Sequence, residues 1–187
     1  MGEYYLDVET YSLGEKPNVT EDKIITIQYQ ELSPDGNPRG QLQILTEWDC
    51  GSEKALLEAF AKVFLTENPW DFVPVGFNLI GFDLVSFLTR YNRHFGTNHS
   101  LSWFYDKPVL DIKPVLVLLE KGNFKGCGDI FGKRSKNPVK SWYESGDSGR
   151  QQIIGYAVGE AARFIRVYQN LKWEIPQLKP QLQKVMA

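Results

Sequence analysis

Cysteine and histidine are scarce in this 187-residue chain, at two residues each. Cys50 and Cys127 form no Cys-x-x-Cys pair, and His94 and His99 lie in a polar stretch with no cysteine nearby. These facts argue against a zinc site and against a disulfide framework, and they suit a reducing compartment. Long apolar runs are missing too. No eighteen-residue apolar segment exists to span a membrane, and the opening MGEYYLDVET carries acids where a secretory signal would carry a basic and then an apolar stretch. A cytoplasmic location is the resulting expectation. Charge of one sign is also lacking: the net charge is −2, so any attraction for nucleic acid has to be local. What remains is an ordinary globular composition, 42% hydrophobic and 24% charged. A chain of this length buries roughly 70% of its unfolded surface, enough for one domain without staples. The expected division is a single domain over residues 1–175 and a polar C-terminal tail over 176–187.

The chain opens with three segments that read as strands: Glu3 to Val8, Lys23 to Glu31 and Gln41 to Leu45. The second, KIITIQYQE, alternates and is rich in β-branched residues, and SPDGNPRG is a hairpin loop between the second and third. Ser52 is placed to cap a helix over Glu53 to Leu65 with an apolar stripe at Leu56, Phe60, Val63 and Phe64. A short strand (Phe72 to Gly76), a helix (Phe82 to Phe95), a strand (Val109 to Ile112) and a helix near Val115 to Glu120 follow. The final element is a long helix over Gln151 to Leu171. This order implies an α/β fold with a mixed sheet that begins as a three-stranded antiparallel meander, with helices on both faces. The ribonuclease H-like fold has that order.

Three groups of acids stand out. Asp7 and Glu9 lie two apart on a strand and project from one face. Side by side they repel, and a hard divalent ion would relieve the repulsion; a solvated strand face would tolerate them equally. Asp83, in GFNLIGFDLVSF, opens a helix, where a carboxylate is favoured by the helix dipole whether or not it binds anything. Tyr156 and Glu160 share a helix face four residues apart, and Glu160 has Arg163 within reach for a plain surface pair.

Together these groups resemble the DEDD superfamily of 3′–5′ exonucleases, in particular the tyrosine-containing proofreading exonuclease domain of family-B DNA polymerases. The first motif of that family, Asp-x-Glu, matches Asp7 and Glu9. The second, Phe/Tyr-Asn-x-x-x-Phe/Tyr-Asp, matches Phe77, Asn78, Phe82 and Asp83. The third, Tyr-x-x-x-Asp, is approximated by Tyr156 and Glu160. The likeness covers residues 3–95 well, 96–150 weakly and the last helix in part. It implies a metal-dependent 3′–5′ exonuclease that hydrolyses single-stranded nucleic acid, DNA first, to nucleoside 5′-monophosphates. The cofactors implied are two divalent cations, Mg²⁺ or Mn²⁺, about 3.5–4 Å apart, held by Asp7, Glu9, Asp83 and Glu160. Tyr156 would orient the attacking water, and Asn78 and Phe82 would touch the strand. The departure is Glu160, which is one methylene longer than the family's aspartate. Asp147, in the glycine-flanked SGDSG, is the rival fourth ligand.

Between Lys121 and Arg150 the chain has an excess of four basic over acidic residues. Lys133, Arg134 and Lys136, interleaved with Phe124, Phe131 and Trp142, are the expected phosphate-contacting and base-stacking region, unless the segment is simply a solvated loop. The partner expected is single-stranded DNA or RNA with a free 3′ end, and no membrane. The alternative function is a catalytically weak or inactive single-strand-binding module of the same fold, its metal site spoiled by Glu160.

Overall fold

The computed structural model describes residues 2–14, 17–100, 102, 107–119 and 138–186, with side chains through Trp173. Five strands form one sheet in the order β3-β2-β1-β4-β5. They are β1 (Glu3–Tyr11), β2 (Lys23–Leu32), β3 (Pro38–Thr46), β4 (Val73–Gly76) and β5 (Leu110–Asp111). The first three make the expected antiparallel meander, and β4 and β5 add parallel to it. The helices are α1 (Glu47–Cys50), α2 (Glu53–Phe64), α3 (Asp83–Phe95), α4 (Ile112–Leu119), α5 (Val139–Glu144) and α6 (Asp147–Met186).

Alternation along β1 divides the interior in two. Leu6 and Val8 enter a core with Ile27 and the apolar faces of α2 and α3: Leu56, Phe60 and Phe64 from one, Leu84, Phe87 and Leu88 from the other. Tyr5 points the opposite way, into a core with Val75, Ile112 of α4 and Phe164 and Tyr168 of α6. Helices therefore cover both faces, and Asp7 and Glu9, in phase with Tyr5, lie on the face that α6 covers.

Ser52 caps α2 as its position implied, its Oγ accepting from Ala55 N at 3.2 Å. Several bounds differ from the sequence reading. β5 has two residues rather than four, and α4 begins three residues early, at Ile112, because Asp111 Oδ1 accepts from Lys113 N at 3.1 Å and starts the helix. The last helix begins at Asp147 rather than Gln151, so SGDSG is not a loop throughout. Gly149 is what allows this: a Cβ there would stand 1.8 Å from Trp142 O, so only glycine lets α5 pack against the first turn of α6. Residues 176–186, set apart above as a tail, continue α6. Neither α1 nor α5 was foreseen; both are too short to show a helical period. No helix among the described residues is long and apolar enough to cross a membrane.

Candidate metal centre

β1 pairs with β4 only as far as Tyr5. Beyond it β1 runs on, and the backbone N–H of Val8 donates to Asp83 Oδ1 at 2.9 Å in a buried contact. A residue at the start of α3 thereby takes over from the sheet ladder, and Asp83 is fixed to the backbone between Asp7 and Glu9. From the other side α6 brings in Glu160. One carboxylate oxygen from each of Asp7, Glu9 and Glu160 lies within 4.8 Å of the others. Glu9 (6% exposed), Asp83 (3%) and Glu160 (4%) are all buried.

The acids also bear on the buried Tyr5. Burial raises the Tyr5 phenol well above its usual range, and Asp7, Glu160, Glu9 and Asp83 raise it further, in that order.

Two contacts hold the cluster without adding charge. Gln28 lies directly across from Asp7 in the β1–β2 register, and its Nε2 donates to Asp7 Oδ2 at 2.7 Å. Thr26, across from Glu9, donates from Oγ1 to Gln28 Oε1 at 3.0 Å and so fixes the amide's orientation. Both residues are fully buried. The sequence reading missed them. The signal was present as polar residues recurring every second position in IITIQYQ, but their partners depend on register across the connection after β1. On the α6 side, Tyr156 OH donates to Glu160 Oε1 at 3.0 Å, and Trp142 packs edge-on against the Tyr156 ring, centroids 5.9 Å apart.

The other expected residues fall as follows. Glu160 is turned in toward Tyr156, while Arg163 is exposed, so the plain surface pair is not formed. Asp147 has a side chain 94% exposed and pairs with Arg150 at 2.7 Å, outside the acidic cluster. Phe77 packs against the core that contains Tyr5 and Val75. Asn78 and the half-buried Phe82 lie on the turn that leads into Asp83. Lys133, Arg134 and Lys136, with Phe124 and Phe131, lie outside the described residues. His94, expected at the surface, instead approaches Glu53 Oε2 at 2.8 Å.

No family model matches the sequence, and no curated protein matches it. Solved structures do. E. coli exonuclease I in complex with a dT13 oligonucleotide superposes with a TM-score of 0.58 at 14% identity, over 97% of this chain and 43% of that one. Exonuclease I in its apo form gives 0.51 at 15% identity, over 67% and 32%. The chain thus spans less than half the length of these neighbours. At such identity the likeness is one of fold, and the fold is ribonuclease H-like.

Proposed function

We propose that this chain is a 3′–5′ exonuclease domain acting on single-stranded DNA, with Asp7, Glu9, Asp83 and Glu160 holding two divalent cations. The observation that carries this reading is the convergence of Asp7, Glu9 and Glu160 oxygens within 4.8 Å on a ribonuclease H-like sheet. The donor set fits: every candidate ligand is a carboxylate oxygen, the choice of Mg²⁺ or Mn²⁺ rather than of a softer ion. A bound divalent cation would relieve the repulsion between like charges brought this close, while Gln28 and Tyr156 orient Asp7 and Glu160 by hydrogen bonds. Bound divalent ions would supply a nucleophilic hydroxide at neutral pH and neutralise charge on the scissile phosphate. The protein's share is geometric. β1 fixes Asp7 and Glu9, Val8 N fixes Asp83, and Tyr156 steers Glu160 and offers a hydroxyl to orient water. The complex of exonuclease I with oligo-dT favours DNA over RNA as the substrate to test first.

The test is a 5′-labelled oligothymidylate incubated with Mn²⁺ or Mg²⁺. A ladder of products shortened from the 3′ end is expected. Glu160→Gln should give none. Glu160→Asp, whose carboxylate withdraws by one methylene, should shorten the strand more slowly than the natural protein. An intact strand of retarded mobility would support the binding-module reading instead. A sharp gain of activity in Glu160→Asp would mark the natural site as impaired.

Gln28 gives a second test. Partners that orient a metal ligand are typically worth ten- to a hundredfold in metal affinity. Gln28→Leu should weaken Mn²⁺ binding, measured by calorimetry, by roughly tenfold or more. Unchanged affinity would mean that Gln28 only fills space.

A further inference from the structure

The turn entering Asp83 is built on two residues that belong to none of the three motifs, Asp111 and Lys113. Asp111, the last residue of β5, receives three backbone N–H groups. Asn78 N (2.8 Å) and Lys113 N (3.1 Å) donate to its Oδ1, and Ile80 N (3.2 Å) to its Oδ2. Lys113 Nζ donates to Asn78 Oδ1 at 2.8 Å. Among the described residues Asn78 is the one non-glycine with positive φ, 64°, a conformation that asparagine tolerates better than most. A Cβ on Gly81 would come within 2.5 Å of Asn78 Oδ1, so the amide lies close over a position that must stay bare.

This arrangement settles the orientation of the amide. An ammonium can only donate, so the Asn78 atom facing Lys113 is the oxygen. The Asn78 nitrogen, with both its hydrogens, is turned the other way, and it makes no hydrogen bond among the described residues. The position of Lys113 is unusual on helical grounds. It lies in the first turn of α4, which contains no acid, where the macrodipole disfavours a cation. A lysine there works against the helix, while its ammonium is directed to the turn that ends at Asp83.

We propose that Lys113 is a substrate-positioning residue. It holds the Asn78 amide with its N–H groups outward, and it places its own positive charge beside a phosphate of the terminal nucleotides of a single strand. Asp111 is the rigid seat for both. The inference rests on the exonuclease reading and adds to it a phosphate contact outside the family's motifs.

The test is binding of fluorescein-labelled dT12, by anisotropy in Ca²⁺, across a series of salt concentrations. Lys113→Gln keeps a donor for Asn78 Oδ1 and removes only the charge. It should weaken binding several-fold and lower the slope of log affinity against log salt by about 0.7, the value of one phosphate contact on a single strand. Lys113→Met, which also loses the donor, should weaken binding further, while Lys113→Arg keeps the slope. Mn²⁺ affinity should be the same in all three. If Lys113→Gln binds like the natural protein, or binds more weakly with an unchanged salt slope, the phosphate contact is refuted and the exonuclease reading stands. If the natural protein binds Mn²⁺ but not dT12, that reading falls and takes this inference with it.

Discussion

Asp7→Asn is expected to abolish hydrolysis, by on the order of a thousandfold or more, equivalent to about 4 kcal/mol in the barrier, while leaving the fold intact. Asparagine has the shape of aspartate, and its oxygen can still accept the hydrogen bond that Gln28 Nε2 gives to Asp7 Oδ2. What the change removes is the charge of one of three converging carboxylates. Without metal the variant should be slightly more stable than the natural protein, because a like-charge repulsion is gone. With Mn²⁺ the order should reverse, since on the proposed reading an ion bound only by the folded form would stabilise the natural protein. Thermal melts with and without Mn²⁺, beside a cleavage assay, check both halves. Near-normal cleavage by a well-folded Asp7→Asn would remove this residue from the site.

Arg90→Ala should produce the largest loss of stability, about 3–5 kcal/mol, or roughly 10 °C in melting temperature for a chain of this size. Arg90 and Glu53 form a buried two-pronged pair, Nε to Oε1 at 2.8 Å and Nη2 to Oε2. Glu53 Oε1 also accepts from Ile24 N at 2.8 Å, and Oε2 meets His94. Burial alone would raise the Glu53 carboxyl; hydrogen bonds from Arg90, His94 and Ile24 N outweigh it and hold the group below its ordinary value. A carboxyl lowered on folding contributes stability above its unfolded value, about 4.3. That contribution fades as pH falls through the lower folded value. The natural protein should therefore lose stability steeply below about pH 4, and Glu53→Gln should flatten that limb. Glu53→Leu with Arg90→Leu should recover part of the Arg90→Ala loss, because no lone buried charge remains; full recovery is prevented by Ile24 N, which loses its acceptor. A shift of only a degree or two in Arg90→Ala would mean that water reaches Glu53.

What could be read from the sequence rests on short backbone periods. The two-residue repeat of a strand aligned Asp7 with Glu9, the four-residue reach of a helix joined Tyr156 to Glu160, and Ser52 announced α2. Each follows from φ and ψ within one segment, so each holds before the rest of the chain is placed. The mixed sheet with helices on both faces followed from the order of such segments. Contacts between segments were decided by tertiary structure. Asp83 meets Val8 N across 75 positions, Gln28 faces Asp7 only in the observed register, and Glu53, which the sequence marked only as the first residue of a helix, is the centre of a buried ion cluster. The position of Glu160 relative to Asp147 was likewise open, since a helical acid and an acid in the glycine-flanked SGDSG could each be brought to β1. Which acid lies beside Asp7 and Glu9 turns on which face of α6 packs against Tyr5 and Val75, and that is set by apolar side chains along the whole helix, not by the acids themselves. Register and helix rotation are collective properties of the packed core, and no local pattern around an acid encodes them.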